Sequence, residues 1–450
     1  MAKKPKNPAP KPGPLFMAPP VQDVSGLLMR GVALHQQGMF AQARQAYEQV
    51  LSVLPNNCDA LHLLGTLFLQ ENDAEKALEL IGRALQVNPA FAEAYSNHGL
   101  ALGKLKRFEE ALASYERAIA LKPDYVQAYN NKGELLRSMG HLEKALECYD
   151  QAIALRPNYA LAYSNRGMVL EQLSRFEEAL ISLEQAIRID PQLDIAYTNR
   201  GNALKGLNRL EEALQSHDKA IAINPNLAEA YSNRGVVLNL MKRFAEALNN
   251  HDKAIALNPD YADAYNNKGV VLMELNQLEN ALACFDKAIG LRSDFADAIH
   301  HKSLLLLDKQ QYSEGWGLYE WRLKIQRRLL GFNLTRPMWS GDKSGKRLLI
   351  WAEQGVGDQV LYGGLLPELM EYPQDKLVVL DKRLLPLFKR SMPELEFLGI
   401  EQIKEEEGFD EQIPIGSLPR LLRPTKESFE KVKSPYLVAD AARVQELRQL

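Results

Sequence analysis

Six segments of this chain repeat almost letter for letter: AYSNHG at 94–99, AYNNKG at 128–133, AYSNRG at 162–167, AYTNRG at 196–201, AYSNRG at 230–235 and AYNNKG at 264–269. Each carries an asparagine in the same place: Asn97, Asn131, Asn165, Asn199, Asn233 and Asn267. A carboxamide holds both a donor and an acceptor. A row of them can pair with peptide groups whatever side chains those peptides bear. Asparagine is a poor helix former, costing roughly 0.5 kcal/mol or more against alanine. The plainer alternative is a water-facing asparagine copied by duplication. A basic or titratable row follows one residue later: His98, Lys132, Arg166, Arg200, Arg234 and Lys268. On a helix it is rotated by about 100° from the first row. It reads as a solvated face paired with acids such as Glu109, Glu110, Glu177 and Glu178.

A second place for chemistry is EQGVGDQVLYGGLLPEL, residues 353–369. Gly355 and Gly357 fall where a strand turns into a helix, at the sheet edge where open α/β folds bind ligands. Asp358 stands at the helix start, as an N-cap. Glu353 and Gln354 either orient the turn or touch an acceptor. SGDKSGK (340–346) has the wrong spacing for a phosphate loop and precedes its strand. His217 and His251 replace the aromatic residues Tyr47, Tyr115, Tyr149 and Phe285 of other repeats. They read as packed, hydrogen-bonded histidines, because no carboxylate or cysteine completes a metal site. The His300–His301 pair lacks such partners too, so no metal is expected.

The elements that position these groups follow from a strict period. Glycine returns every 34 residues from Gly31 to Gly269, alanine follows each by twelve from Ala43 to Ala281, and prolines close the units from Pro55 to Pro259. Within residues 92–125, Tyr95, Gly99 and Leu102 mark one helix face, LKRF turns, and Leu112, Tyr115 and Ile119 mark a second helix. Pro123 stops it. Gly99 and Ala111 let the helices approach closely, and one pair alone cannot bury both its faces, so neighbours must stack.

The spacing Tyr–x3–Gly–x11–Ala–x6–Ala–x4–Pro resembles the tetratricopeptide repeat. It covers residues 24–295 in eight units, with a degraded ninth at 296–329 in which Ser293, Ser303 and Gly315 replace the signature proline, glycine and alanine. The resemblance implies a right-handed α-solenoid whose asparagine row faces a concave groove. Similar ladders hold the acceptor polypeptide in O-linked N-acetylglucosamine transferases. Equivalent helices stack about 10 Å apart and an extended peptide rises about 3.3 Å per residue, so one asparagine would meet roughly every third peptide bond. The clamp that some tetratricopeptide domains use for a terminal carboxylate is not expected, since its place holds Asp59, Glu93, Gln127, Leu161, Ile195, Glu229 and Asp263.

After residue 330 the period is lost. RLLIWAEQG (347–355), KLVVLD (376–381) and LEFLGI (395–400) read as strands. They alternate with helices over 359–371 and over KRLLPLFKRS, the latter interrupted by Pro386, which argues a parallel α/β sheet. Trp316, Trp321, Trp339 and Trp351 cluster at the junction and suggest a packed interface. EQG-x-GD with LLPEL, FDEQIPIGSLPRLL and SPYLVAD, together with Tyr319-Glu320-Trp321-Arg322 and Trp339-x-Gly341, resembles bacterial proteins that join such repeats to a heptosyltransferase-like, two-domain (GT-B) glycosyltransferase. The resemblance implies a Rossmann-like first half with Asp358 as general base. About 115 residues cannot supply both halves, so the donor-binding half is expected to be missing.

The expected organisation is a basic, proline-rich disordered tail (1–23), eight repeats (24–295), a ninth repeat and junction (296–335), and an incomplete α/β segment (336–450). A net charge of −3 makes no case for nucleic-acid binding. No apolar run is long enough to span a bilayer, and Cys58, Cys148 and Cys284 are too scattered for a disulfide framework. These features suggest a cytoplasmic protein. The leading expectation is a scaffold that captures an extended polypeptide, without a cofactor. The alternative is a repeat-guided glycosyltransferase using a nucleotide sugar.

Overall fold

The computed structural model describes residues 23–326, 336–403, 408–431 and 435–448, apart from Ser344 and Gln354. The expected tail through residue 22 and the candidate Gln354 lie outside the described residues. The chain divides into two compact units, Met1–Ile223 and Asn224–Leu450.

The first unit consists of helix pairs, each with a 13-residue first helix and a 14-residue second helix, as in α1 (Ala92–Lys104) and α2 (Phe108–Leu121), followed by α3 (Val126–Ser138). The first helix ends in a Schellman turn. The Arg107 amide donates to the Leu102 carbonyl at 2.9 Å and the Lys106 amide to that of Gly103 at 3.0 Å. This geometry forces the residue between helices into the left-handed region: Lys106 has φ 60°, and Asn72, Ser174 and Asn208 match it. The second helix ends at an extended residue, Lys122 at φ −141°, because a proline follows. The small residues act as expected. A Cβ on Gly99 would lie 3.0 Å from the Tyr115 ring and 3.1 Å from the Ala111 carbonyl oxygen, and Ala43, Ala77, Ala111, Ala145, Ala179 and Ala213 are fully buried.

The second unit opens with the same pairing, through Ala228–Leu240 with Phe244–Leu257 and Ala262–Glu274 with Leu278–Leu291. The ninth pair also folds, as Ala296–Asp308 with α4 (Tyr312–Tyr319), its second helix cut to 8 residues. Strands β1 (Leu348–Trp351), β2 (Lys376–Leu380), β3 (Glu396–Gly399) and β4 (Glu411–Pro414) then form a parallel sheet in the order β3-β2-β1-β4. β1 and β2 are buried along their whole length, which is why they read as unbroken apolar runs. Leu348, Ile350, Val378, Leu380 and Ile413 pack on one face, and Leu349, Trp351, Leu377 and Val379 on the other.

Three sequence expectations need correction here. The helix over 359–371 is two pieces, α5 (Val356–Gly363) and a short turn at Leu366–Leu369, because Pro367 starts the second. Pro386 opens its helix, Leu385–Ser391, rather than interrupting it, since the first turn needs no amide there. The junction is packed, through Tyr319, Arg322 and Leu323, but the tryptophans do not all gather there. Trp339 (1% exposed) belongs to the α/β core, and Trp351 donates its indole N–H to Gln412 Oε1 at 3.1 Å.

Candidate functional site

The asparagine row sits on the first helices, and the repeats themselves engage it. In the first unit, Asn97 Nδ2 lies 2.9 Å from His62 Nε2 and donates to Thr66 Oγ1 at 3.0 Å. Asn165 Nδ2 donates to Asn130 Oδ1 at 3.0 Å, and Asn199 Nδ2 to Ser164 Oγ at 3.3 Å. Every one of these bonds crosses to the preceding repeat. Asn131 differs: it accepts weakly from Asn130 at 3.5 Å. In the second unit Asn267 Nδ2 donates to Ser232 Oγ at 3.3 Å, while Asn233 bonds Glu229 one turn back. Burial pushes the Glu229 carboxyl up, opposed by that bond. All but Asn199 are half-buried, and Asn199 is 4% exposed. These asparagines are therefore not simply solvated copies. Their amide nitrogens tie repeats together, while the carbonyl oxygens of Asn97, Asn165 and Asn199 accept no bond among the described residues.

The basic row is paired, as expected, but with other acids. Lys132 reaches Glu116 at 3.0 Å, Arg166 reaches Asp150 at 2.7 Å, and Lys268 reaches Asp252 at 2.6 Å. Each acid lies on the second helix of the preceding repeat. Arg166 and Arg200 also donate to Ser182 and Ser216 of their own repeats. Glu110 and Glu178, two of the partners expected, are instead held by Arg107 and Arg175 in the turns. At the would-be clamp position two of the acids are engaged: Glu93 pairs with Lys122 and Asp263 with Arg292.

His251 fills the aromatic slot beside Gly235, where a Cβ would meet its ring at 2.6 Å. It is fully buried and neither ring nitrogen finds a hydrogen-bond partner, which corrects the expectation of a hydrogen-bonded histidine. Burial lowers its pKa to about 4. His217 packs on Gly201 in the same way. His301 bonds Asn266 Oδ1 at 2.9 Å. Among the described residues no group of His, Cys, Asp and Glu is placed to hold a metal ion.

In the α/β segment Gly355 is the N-cap of α5, and Asp358 is a half-buried residue of its first turn, not the cap. Gly355 and Gly357 are exposed and a Cβ on either would meet nothing. Glu353 proves to be an orienting residue. Its Oε2 accepts from Arg322 Nη2 at 2.8 Å and from the Gly416 amide at 2.9 Å, joining the ends of β1 and β4. Arg322, 2% exposed, also donates to Ser417 Oγ at 2.8 Å and Glu320 Oε1 at 3.0 Å. Tyr319 lies under its guanidinium at 4.4 Å and shares a hydrogen bond with Tyr362 at 3.1 Å. A Cβ at 416 would stand 2.8 Å from Glu353 Oε2, so a larger residue there must displace that carboxylate. Burial pushes the Glu353 carboxyl up, against the pull of Arg322. Sequence reasoning did not assign Arg322, Glu320 or Ser417 any role. They lie in the segments Tyr319-Glu320-Trp321-Arg322 and FDEQIPIGSLPRLL, whose pattern marked them without saying that they meet.

Comparisons with known proteins agree with the helical pairing. The family described as TPR repeat matches residues 104–140, 133–174 and 201–242. Two families described as tetratricopeptide repeat match 160–193, 228–261 and 262–295, and 34–97. Protein FlbA of Caulobacter vibrioides is 35% identical over 150 residues, 29% of this chain and 25% of FlbA. Protein CTR9 homolog of Arabidopsis thaliana is 42% identical over 53 residues, 12% of this chain and 5% of that protein. The chain thus spans a quarter or less of these relatives. Among solved structures, the Cut9–Hcn1 hetero-tetramer of APC/C aligns with a TM-score of 0.51 at 16% identity, over 64% of this chain and 57% of that one. YrrB, a TPR protein with an unusual peptide-binding site, is 31% identical over 42% of this chain and 97% of its own, with a TM-score of 0.31.

Proposed function

The chain belongs to the tetratricopeptide repeat family, and from that premise we propose that it is a scaffold that binds a polypeptide in extended conformation along its asparagine row. The supporting observation is the asymmetry of the amides. With Nδ2 of Asn97, Asn165 and Asn199 held by the neighbouring repeat, each carboxamide is fixed and its oxygen is left as an acceptor. Pre-set acceptors reduce the ordering cost of binding and suit the backbone N–H groups of a peptide. Reducing conditions suit the free thiols of Cys58, Cys148 and Cys284, and no described helix is long and apolar enough to cross a membrane. We place the protein in the cytoplasm, with no nucleic-acid partner.

The test replaces Asn97, Asn165 and Asn199 with alanine and measures binding to an array of unstructured peptides. Each substitution also removes an inter-repeat bond worth about 1 kcal/mol, so binding is read well below the variant's Tm. A drop of at least about tenfold in affinity is expected. Unchanged binding overturns the ladder.

A second reading rests on the open glycine loop. It lies at the carboxyl end of β1, next to the point where strand order reverses between β1 and β4. Nothing in the packing requires glycine at 355 or 357, and close approach of a ligand would. In this reading the segment is a Rossmann-like, glycosyltransferase-like half in which Asp358 removes a proton from an acceptor hydroxyl. Calorimetric titration with oligosaccharide acceptors decides it: the absence of any heat that Gly357→Val abolishes removes this reading.

A further inference from the structure

We infer that the third and fourth repeats carry an anchor pocket that takes one large apolar side chain of the bound polypeptide and so sets its register. The inference rests on the extended-peptide reading above and concerns one cleft of about 230 Å³ between α1 and α3. Its walls are Leu100, Tyr115 and Leu135, with Gly103 at its side. Tyr115 and Leu135 are buried and Leu100 is exposed, so the cleft has an apolar floor and an open mouth.

Gly103 makes the space. Other repeats place Leu69, Arg137, Glu171, Lys205, Asn239 and Met273 at this helical position. Packing does not demand glycine here: a Cβ would meet only Leu135 Cδ1, at an ordinary 3.5 Å. Glycine in a helix costs up to about 1 kcal/mol against alanine, so the missing side chain is a local cost with no structural return. A cavity of about 150 Å³ lined by apolar side chains is enough to bind benzene, and this cleft is larger.

The floor, rather than the rim, selects the occupant. On the rim Glu134 is paired with Arg137 and accepts from Tyr149, while the exposed Lys104 donates to the neutral Asn72 Oδ1 at 2.8 Å. Asn131 lines the same cleft, and its Nδ2 donates to nothing among the described residues. Its expected counterpart in the preceding repeat, Ser96, is bonded to Tyr125 instead. The free amide is positioned to donate to a peptide carbonyl beside the anchor. The occupant is thus an extended peptide bearing a phenylalanine, leucine or methionine.

The experiment uses the full chain and two labelled peptides, a short proline-free Ser/Thr/Asn sequence with one central phenylalanine and its alanine twin, read by fluorescence anisotropy. The phenylalanine peptide is expected to bind at least about tenfold more tightly. Gly103→Met fills the cleft with a better helix former. It should erase that advantage while leaving the alanine peptide's affinity and the Tm no lower. Equal binding of both peptides to the unaltered chain, or an advantage that survives Gly103→Met, overturns the pocket while the asparagine ladder stands. If neither peptide binds, both readings are overturned.

Discussion

Between Asn165 and Asn130 a neutral amide pair joins two repeats; between Arg322 and Glu353 a charged pair joins a helix end to a strand end. Both lie wholly or partly out of water, but they distribute risk differently. In the repeats each link is a neutral hydrogen bond with a net worth of about 1 kcal/mol, and similar links recur along the array. Loss of one is felt mainly by its neighbours, as expected for a quasi-one-dimensional stack. In the α/β segment one guanidinium satisfies Glu320, Glu353, Ser417 and the Tyr319 carbonyl at once. Its loss leaves the buried Glu353 carboxylate without its cation, while Glu320 keeps Arg420, 4.0 Å away. Repetition spreads polarity thinly; a single junction concentrates it.

The largest expected effect follows from that concentration. Arg322→Ala should destabilise the α/β segment by about 3–5 kcal/mol, because an uncompensated buried carboxylate remains. Denaturant titration followed by tryptophan fluorescence reads it directly, as all four tryptophans lie between residues 316 and 351. Replacing both partners, Arg322→Met with Glu353→Leu, should recover a large part of the loss. A cost below about 1 kcal/mol for Arg322→Ala would place the cluster on the same footing as a surface pair and dissolve the contrast.

A second effect sharpens the contrast within the repeats. His251 departs from that pattern, as a buried titratable ring with no hydrogen bond. Its pKa falls to about 4 by burial, against about 6.5 in the unfolded chain. The unfolded state therefore binds its proton first as pH drops. Stability is full above about pH 6.5, declines down to about pH 4 and is level below, a change of up to about 3 kcal/mol. His300, also lowered to about 4, adds a change of the same sign. His251→Phe, the residue found at the equivalent Phe285, should remove its share of the acid sensitivity in pH-dependent thermal melts. An unaltered pH profile would show that His251 is reachable by water.

How much of this was legible in the sequence depends on whether one residue type answers one physical demand. The glycine–alanine spacing did, because close helix approach admits little else, and the pairing followed. β1 and β2 were legible as apolar runs because both faces are buried. β4 was not: Glu411, Gln412 and Pro414 belong to an edge strand whose polar side chains are used by Lys346 and Trp351, and no apolar pattern marks it. The asparagines were legible as a row but not as inter-repeat donors, since spacing along one helix says nothing of the hydroxyls and amides on the next. The Arg322 cluster needed contacts 31 and 95 residues apart in sequence. Helix periodicity cannot foresee those.

The smallest effect tests whether the repeats tolerate local cost as additively as the comparison implies. Every described turn between paired helices holds a left-handed residue, but only Gly38 and Gly140 are glycines there. Lys106 (φ 60°) and Gln310 (φ 60°) adopt the same conformation with a Cβ, which costs about 1–2 kcal/mol. Part of that would be returned by the extra unfolded entropy of glycine. Lys106→Gly and Gln310→Gly should each stabilise by about 0.5–1 kcal/mol, whereas Asn276→Gly should change little, because asparagine bonds locally in this region. Combined, the first two should add, since they lie in different compact units of the chain. Thermal melts of the singles and the double measure this; a double gain well short of the sum would mean that the two turns lie in segments that unfold separately, since within one cooperative unit the gains add.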